Sequence, residues 1–220
     1  MRTSGPSSWR MSLDRGQAAH ILLYIRDACQ LSVSGLDVPP PLRGDVHLRH
    51  LNLSPDEHEE TSRAWLEWWH RFILAEGEVQ LGHRFGASGD EVRIRSIGES
   101  RTFAFDPGEG FASLADSPPL RGAAMKSWRD GVEWFGLQES QRIRHGSMIP
   151  LTVAESVILD KQVSPERVRA AVLVFGVIGQ WSHLVAPGLL LCSDETYADE
   201  SLFAAELRRA FESGIELPLD

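Results

Sequence analysis

Residues 168–178 read Val-Arg-Ala-Ala-Val-Leu-Val-Phe-Gly-Val-Ile, and this run decides the fold. Val168, Ala170, Val172 and Val174 fall on one side of an extended chain, and Ala171, Leu173, Phe175 and Val177 on the other. Apolar side chains on both sides place the strand in the middle of a sheet covered on both faces. Gly179-Gln180 then turns the chain into Trp181–Cys192, kinked at Pro187-Gly188, which predicts a C-terminal β-hairpin. A last helix over 200–213 presents Leu202, Phe203, Leu207, Ala210 and Phe211 at helical spacing and stops at Gly214.

Working back toward the N-terminus, helical signals dominate. Ala18, Ile21, Leu22, Ile25, Ala28 and Cys29 recur at three- and four-residue steps, predicting a helix from Asp14 to Leu31. Ser54-Pro55-Asp56-Glu57 combines a capping box with proline at the first helical position. The helix it opens is expected to end at Gly77. Ser117-Pro118 opens another, to Gly136, Thr152-x-x-Glu155 a short one to Lys161, and Ser164-Pro165 repeats the start signal. Val79, Leu81, His83 and Phe85 alternate, as do Val92 and Ile94 beyond a Gly-rich turn, which predicts a hairpin, with a further strand over 101–106. The expectation is an α+β fold with a mostly antiparallel sheet and a C-terminal β-hairpin, packed by about four to five helices. Residues 1–12 read as a flexible tail and 13–220 as a single domain with a Pro-rich connector near 37–44.

Bulk composition narrows the function. The chain has 220 residues, 42% hydrophobic and 24% charged, which suits one folded core. Its 22 basic and 31 acidic residues leave a formal charge of −9, which argues against nucleic acid and anionic membranes as partners. Arginine supplies nearly all the basic residues, a bias that fits a GC-rich bacterial genome. No secretory signal or membrane span is read in the chain. Cys29 and Cys192 lie far apart, without metal or redox spacing, so buried thiols in a cytoplasmic protein are expected.

Motifs for chemistry fail one by one. There is no phosphate-loop pattern and no Gly-x-Ser-x-Gly elbow. His58-Glu59-Glu60-Thr61-Ser62 starts like a zinc-peptidase helix, but Ser62 stands where the second histidine belongs. Glu67 and His70 have the spacing of carboxylate-bridged metal bundles. They point away from the Trp65/Trp68/Trp69 face, however, and Glu67 pairs by spacing with Arg71. No catalytic residue, metal ligand or cofactor is assigned.

Two features remain as candidate sites. Asp194, Glu195, Asp199 and Glu200 crowd a helix start; they suit its positive end, and they also suit an acidic surface for a basic protein partner. Trp65 and Trp69, with Trp181 and His183 on the C-terminal hairpin, form a second candidate face, for core, ligand or interface. Cys192-Ser193 offers two nucleophiles, with His183 as the conceivable base. The leading expectation is a non-enzymatic protein-binding module of the immunity or assembly type. The rivals are a hydrolase or metal-dependent enzyme of another kind and a small-ligand carrier with a Trp-lined pocket.

Overall fold

The computed structural model describes residues 9–82, 105–140 and 148–217. Strand β1 (Arg10–Asp14) leads directly into helix α1 (Gln17–Ala28), and α2 (Pro55–Leu81) and α3 (Pro118–Ser140) follow. Helix α4 (Ile149–Lys161) precedes β2 (Arg169–Phe175), and β3 (Ser182–Ala186) and β4 (Leu189–Ser193) come next. The short α5 (Asp194–Ala198) and α6 (Glu200–Gly214) complete the order. Six α-helices and a four-stranded sheet thus make an α+β architecture among the described residues.

The sheet order is β1-β2-β4-β3. Strands β1 and β4 both run parallel to β2, and only β3–β4 is antiparallel. The expectation of a mostly antiparallel sheet is therefore corrected, whereas the C-terminal hairpin around Pro187-Gly188 is present. Two things reversed the sense. Residues 10–12, read as tail, are strand, with Arg10 in register with Arg169. The chain after β2 also crosses to the far edge as β3, and the hairpin returns β4 into the place beside β2.

Every residue of β2 is buried, and its alternation divides two cores. Ala171, Leu173, Phe175 and Val177 pack with α1, α2 and α3 side chains, including Leu22, Trp65, Trp69 and Leu120. Val168, Ala170, Val172 and Val174 face Val157 of α4 and Phe203, Leu207 and Phe211 of α6. A strand buried on both faces is characteristic of parallel sheets. Here β2 has a parallel neighbour on each side, β1 and β4.

Helix boundaries show which local signals hold. Ser54 Oγ accepts from the Glu57 N–H, and the Glu57 carboxylate accepts from the Ser54 N–H at 2.8 Å, completing the capping box of α2. Gly77 does not end that helix; it is buried inside it, and the stop is Gly82 with φ +66°. Val79 and Leu81, expected in a strand, lie on this helix, while the rest of that hairpin and residues 101–104 fall outside the described residues. Helix α3 likewise runs past Gly136 to Ser140. Helix α4 begins at Ile149, before the Thr152 pattern, and Thr152 Oγ1 donates back to the Met148 carbonyl at 3.4 Å. Asp14 ends β1, so α1 starts three residues later than expected.

The Pro-rich connector is tied down at specific points. The Arg26 guanidinium, almost fully buried, donates to the carbonyls of Pro39 and Pro40, and Asp27 accepts from the Leu42 N–H at 2.7 Å. Residues with no backbone N–H of their own thus have their carbonyls satisfied by a side chain. Leu42 then pairs with Val177 in an isolated antiparallel bridge just past β2.

Candidate functional site

Strands β1, β2 and β4 all point their carboxyl ends to one edge of the sheet, where crevices form in open α/β arrangements. The Asp194–Glu200 segment lies at this edge because α5 starts directly from the end of β4. Ser193 caps α5, its Oγ accepting from the Thr196 N–H at 3.2 Å. The same hydroxyl accepts from the Trp181 N–H at 3.1 Å and contacts Thr196 Oγ1 at 3.1 Å, while Thr196 Oγ1 donates to the Trp181 carbonyl. Ser193 is fully buried in this network, so its oxygen is committed to structure.

The four acidic residues have different fates. Asp194 turns inward to an ion pair with Arg15 at 2.7 Å, with each side chain about one-fifth exposed. Burial pushes its carboxyl above the ordinary value, opposed by the positive charges of Arg15 and Arg43. Glu195 is exposed and meets Arg43. Asp199 caps α6, accepting from the Ser201 and Leu202 N–H groups, and these bonds hold its carboxyl below the ordinary value. Glu200 occupies the first turn of α6 and is exposed, next to Leu202 at 38% exposure.

Arg15 and His20 complete this edge and were not singled out in the sequence. The Arg15 guanidinium also sits over the Tyr197 ring, 5.6 Å from its centroid. His20 is 2% exposed and donates through Nδ1–H to the Gly16 carbonyl at 3.2 Å, since a carbonyl can only accept. Its Nε2 is then free to accept from the Gly176 N–H at 3.2 Å. Burial lowers its pKa from 6.5 to about 4, against the pull of the Gly16 bond and Asp194. The imidazole joins the start of α1 to the end of β2 as a neutral crosslink. The available signal was its place between Ala19 and Ile21 on the apolar arc of α1.

The tryptophan candidates separate. Trp65 and Trp69 stack at 5.6 Å with rings 9° apart, both are buried, and their indole N–H groups donate to the Leu22 and Asp37 carbonyls. Both belong to the core against which the half-buried Trp181 packs, and His183, also half-buried, lies on edge strand β3. His70, on the other side of α2, pairs with Asp37.

Register also separates the nucleophile pair. His183 stands opposite Leu191, on the α1–α3 side, whereas Cys192 stands opposite Ser182 and belongs to the α4–α6 core. Imidazole and thiol are on opposite faces of the sheet. The Cys192 thiol is buried, and that burial pushes its pKa up to about 12. Among the described residues, no group of three or more His, Cys, Asp or Glu side chains is placed to hold a metal ion, and no helix is long and apolar enough to cross a membrane. Comparison with protein-family models, curated proteins and solved structures returns no match.

Proposed function

We propose that the chain is a non-enzymatic protein-binding module whose acidic contact surface is the corner between α5 and α6. The observation that carries this reading is the joint exposure of Glu195, Glu200 and Leu202 there. Carboxylates around a partly exposed leucine suit a basic partner with an apolar contact residue, the charges steering approach. Asp194 and Asp199 support the corner instead of meeting the partner, because one is paired inward and the other caps α6. The net charge of −9 extends the attraction beyond the corner itself.

Immobilised full-length protein should retain a basic partner from a lysate at low salt and release it at high salt. Glu195→Lys and Glu200→Lys together should abolish that retention while lowering the melting temperature by only a few degrees, through the lost exposed pair with Arg43 and the reversed charge at the start of α6. Retention that survives the double reversal, or no salt-sensitive partner at all, overturns the reading.

A further inference from the structure

Strand β1 forms one edge of the sheet, and its outer side is open. The Arg10 N–H donates to the Val168 carbonyl at 3.0 Å. In this parallel ladder Arg10, Ser12 and Asp14 therefore turn their main-chain groups toward β2, and Met11 and Leu13 turn theirs outward. Among the described residues no strand adjoins that side, and no main-chain group bonds to the Met11 or Leu13 N–H and C=O groups. Leu13 is 40% exposed, and Arg10 is exposed as well. The opposite edge is blunted, because β3 carries a register shift between Leu184 and Ala186. Strand β1 keeps an unbroken register and contains no proline. Such an edge is a template for a further strand.

The five residues of β1 select that strand. They read Arg-Met-Ser-Leu-Asp, a sequence complementary to its own reverse. An antiparallel copy placed about a twofold axis at Ser12 sets Arg10 against Asp14, Met11 against Leu13, and Ser12 against Ser12. The outward groups of Met11 and Leu13 then become the hydrogen-bonded pairs of the new ladder. The remaining pairs are the close ones, with Cα atoms about 4.5 Å apart, and a small serine at the axis suits that approach. The faces agree too. Met11 packs toward the α4–α6 core and Leu13 shares its side, so apolar residues meet across the seam on one face. Arg10 and Asp14 lie on the other face. Asp14 accepts from the Arg15 N–H and from Gln80 but meets no cationic side chain among the described residues. A parallel copy in register would set Arg10 beside Arg10 instead. The charge of −9 on each chain opposes association at long range and is screened by salt, whereas the match of Arg10 with Asp14 is local.

We propose that β1 pairs antiparallel with β1 of a second copy, joining the two four-stranded sheets into one continuous sheet. Arg10 of each copy faces Asp14 of the other across the seam. This contact uses none of the exposed residues of the α5–α6 corner, and it stands or falls without that reading.

Sedimentation of the full-length protein over a concentration series at physiological salt should show a reversible monomer–dimer equilibrium. Arg10→Glu sets like charges opposite each other twice per dimer and should weaken it about tenfold or more, as should Asp14→Arg. These changes shift the net charge in opposite directions, so weakening by both identifies the local pairs. Mixing the two variants should restore association as a heterodimer, because every seam pair again joins an acid to a base. Leu13→Lys should also weaken the dimer, and Glu195→Lys with Glu200→Lys should leave it intact. Arg10 is exposed, so Arg10→Glu should keep the parent's circular dichroism spectrum. Hydrogen exchange gives a second reading: the Met11 and Leu13 amides should be protected in the parent dimer and exchange fast in Arg10→Glu. A monomer at every concentration overturns the proposal. So does a dimer that Arg10→Glu and Leu13→Lys leave unchanged, or a mixture of the two charge variants that associates no better than either alone.

Discussion

Gly214, the last residue of α6, lies so close to Arg169 at the start of β2 that an added Cβ would stand 2.1 Å from the Arg169 carbonyl oxygen. The obstructing atom is backbone in a central strand, and Gly188 of the β3–β4 turn packs on the same carbonyl. Helix, strand and turn meet here with no space for a methyl group. Gly214→Ala should therefore cost about 3 kcal/mol, the upper range for overpacking. In a chain of this length that corresponds to a melting temperature roughly 6–12 °C lower. A thermal melt of the variant within a degree or two of the parent would show that α6 can shift away from β2 at no cost.

Gly122 and Gly136 in α3 make the opposite case, because an added Cβ at either meets nothing within 4 Å. Neither has a positive φ. Glycine within a helix costs about 0.5–1 kcal/mol relative to alanine through the entropy of the unfolded chain. Gly122→Ala and Gly136→Ala should each raise the unfolding free energy by that amount, read as a higher denaturation midpoint at an unchanged denaturant slope.

What was legible in the sequence follows the range of the interactions involved. The Ser54 capping box and the two-faced pattern of 168–178 depend on residues close together, and both are present as read. Strand direction depends on which segments become neighbours, and five residues at 10–14 carried too little pattern to be recognised as β1's contribution. Gly77 misled because a buried glycine inside a long helix resembles a stop until tertiary packing is known. The acidic segment was visible as a cluster, but the inward turn of Asp194 needs Arg15, some 179 positions earlier in the chain. His20 was hidden for the same reason, its partner Gly176 lying at the end of a different element.

The two cysteines test whether the cores are as closed as they look. Cys29 is 3% exposed and Cys192 0% exposed, and burial raises both thiol pKa values, to about 12 for Cys192. Thiolate is the reactive form. Native protein at neutral pH should give almost no colour with a disulfide reagent over minutes, and both thiols should react at once in denaturant. Fast native labelling of Cys192 would show that the α4–α6 layer opens readily.

His20 predicts an acid-sensitive stability with a definite sign. Its folded pKa, about 4, lies below the ordinary imidazole value of 6.5, so the unfolded chain takes up the proton first. The full stabilisation is present above about pH 6.5 and is lost progressively as pH falls toward 4, in total about 3 kcal/mol as an order of magnitude. Protonation also removes the acceptor for the Gly176 N–H and places a cation beside Arg15. Asp194 works in the other direction, since its carboxyl is raised by burial and acid relieves the cost of its charge. The net slope should therefore be shallower than His20 alone would give. His20→Gln can still donate to Gly16 and accept from Gly176 but does not titrate. Melts from pH 7.5 to 4 should show the parent holding level down to about pH 6.5 and losing stability below it, and the variant, though less stable at pH 7.5, losing much less. Equal slopes for the two proteins would place the acid sensitivity in some other group.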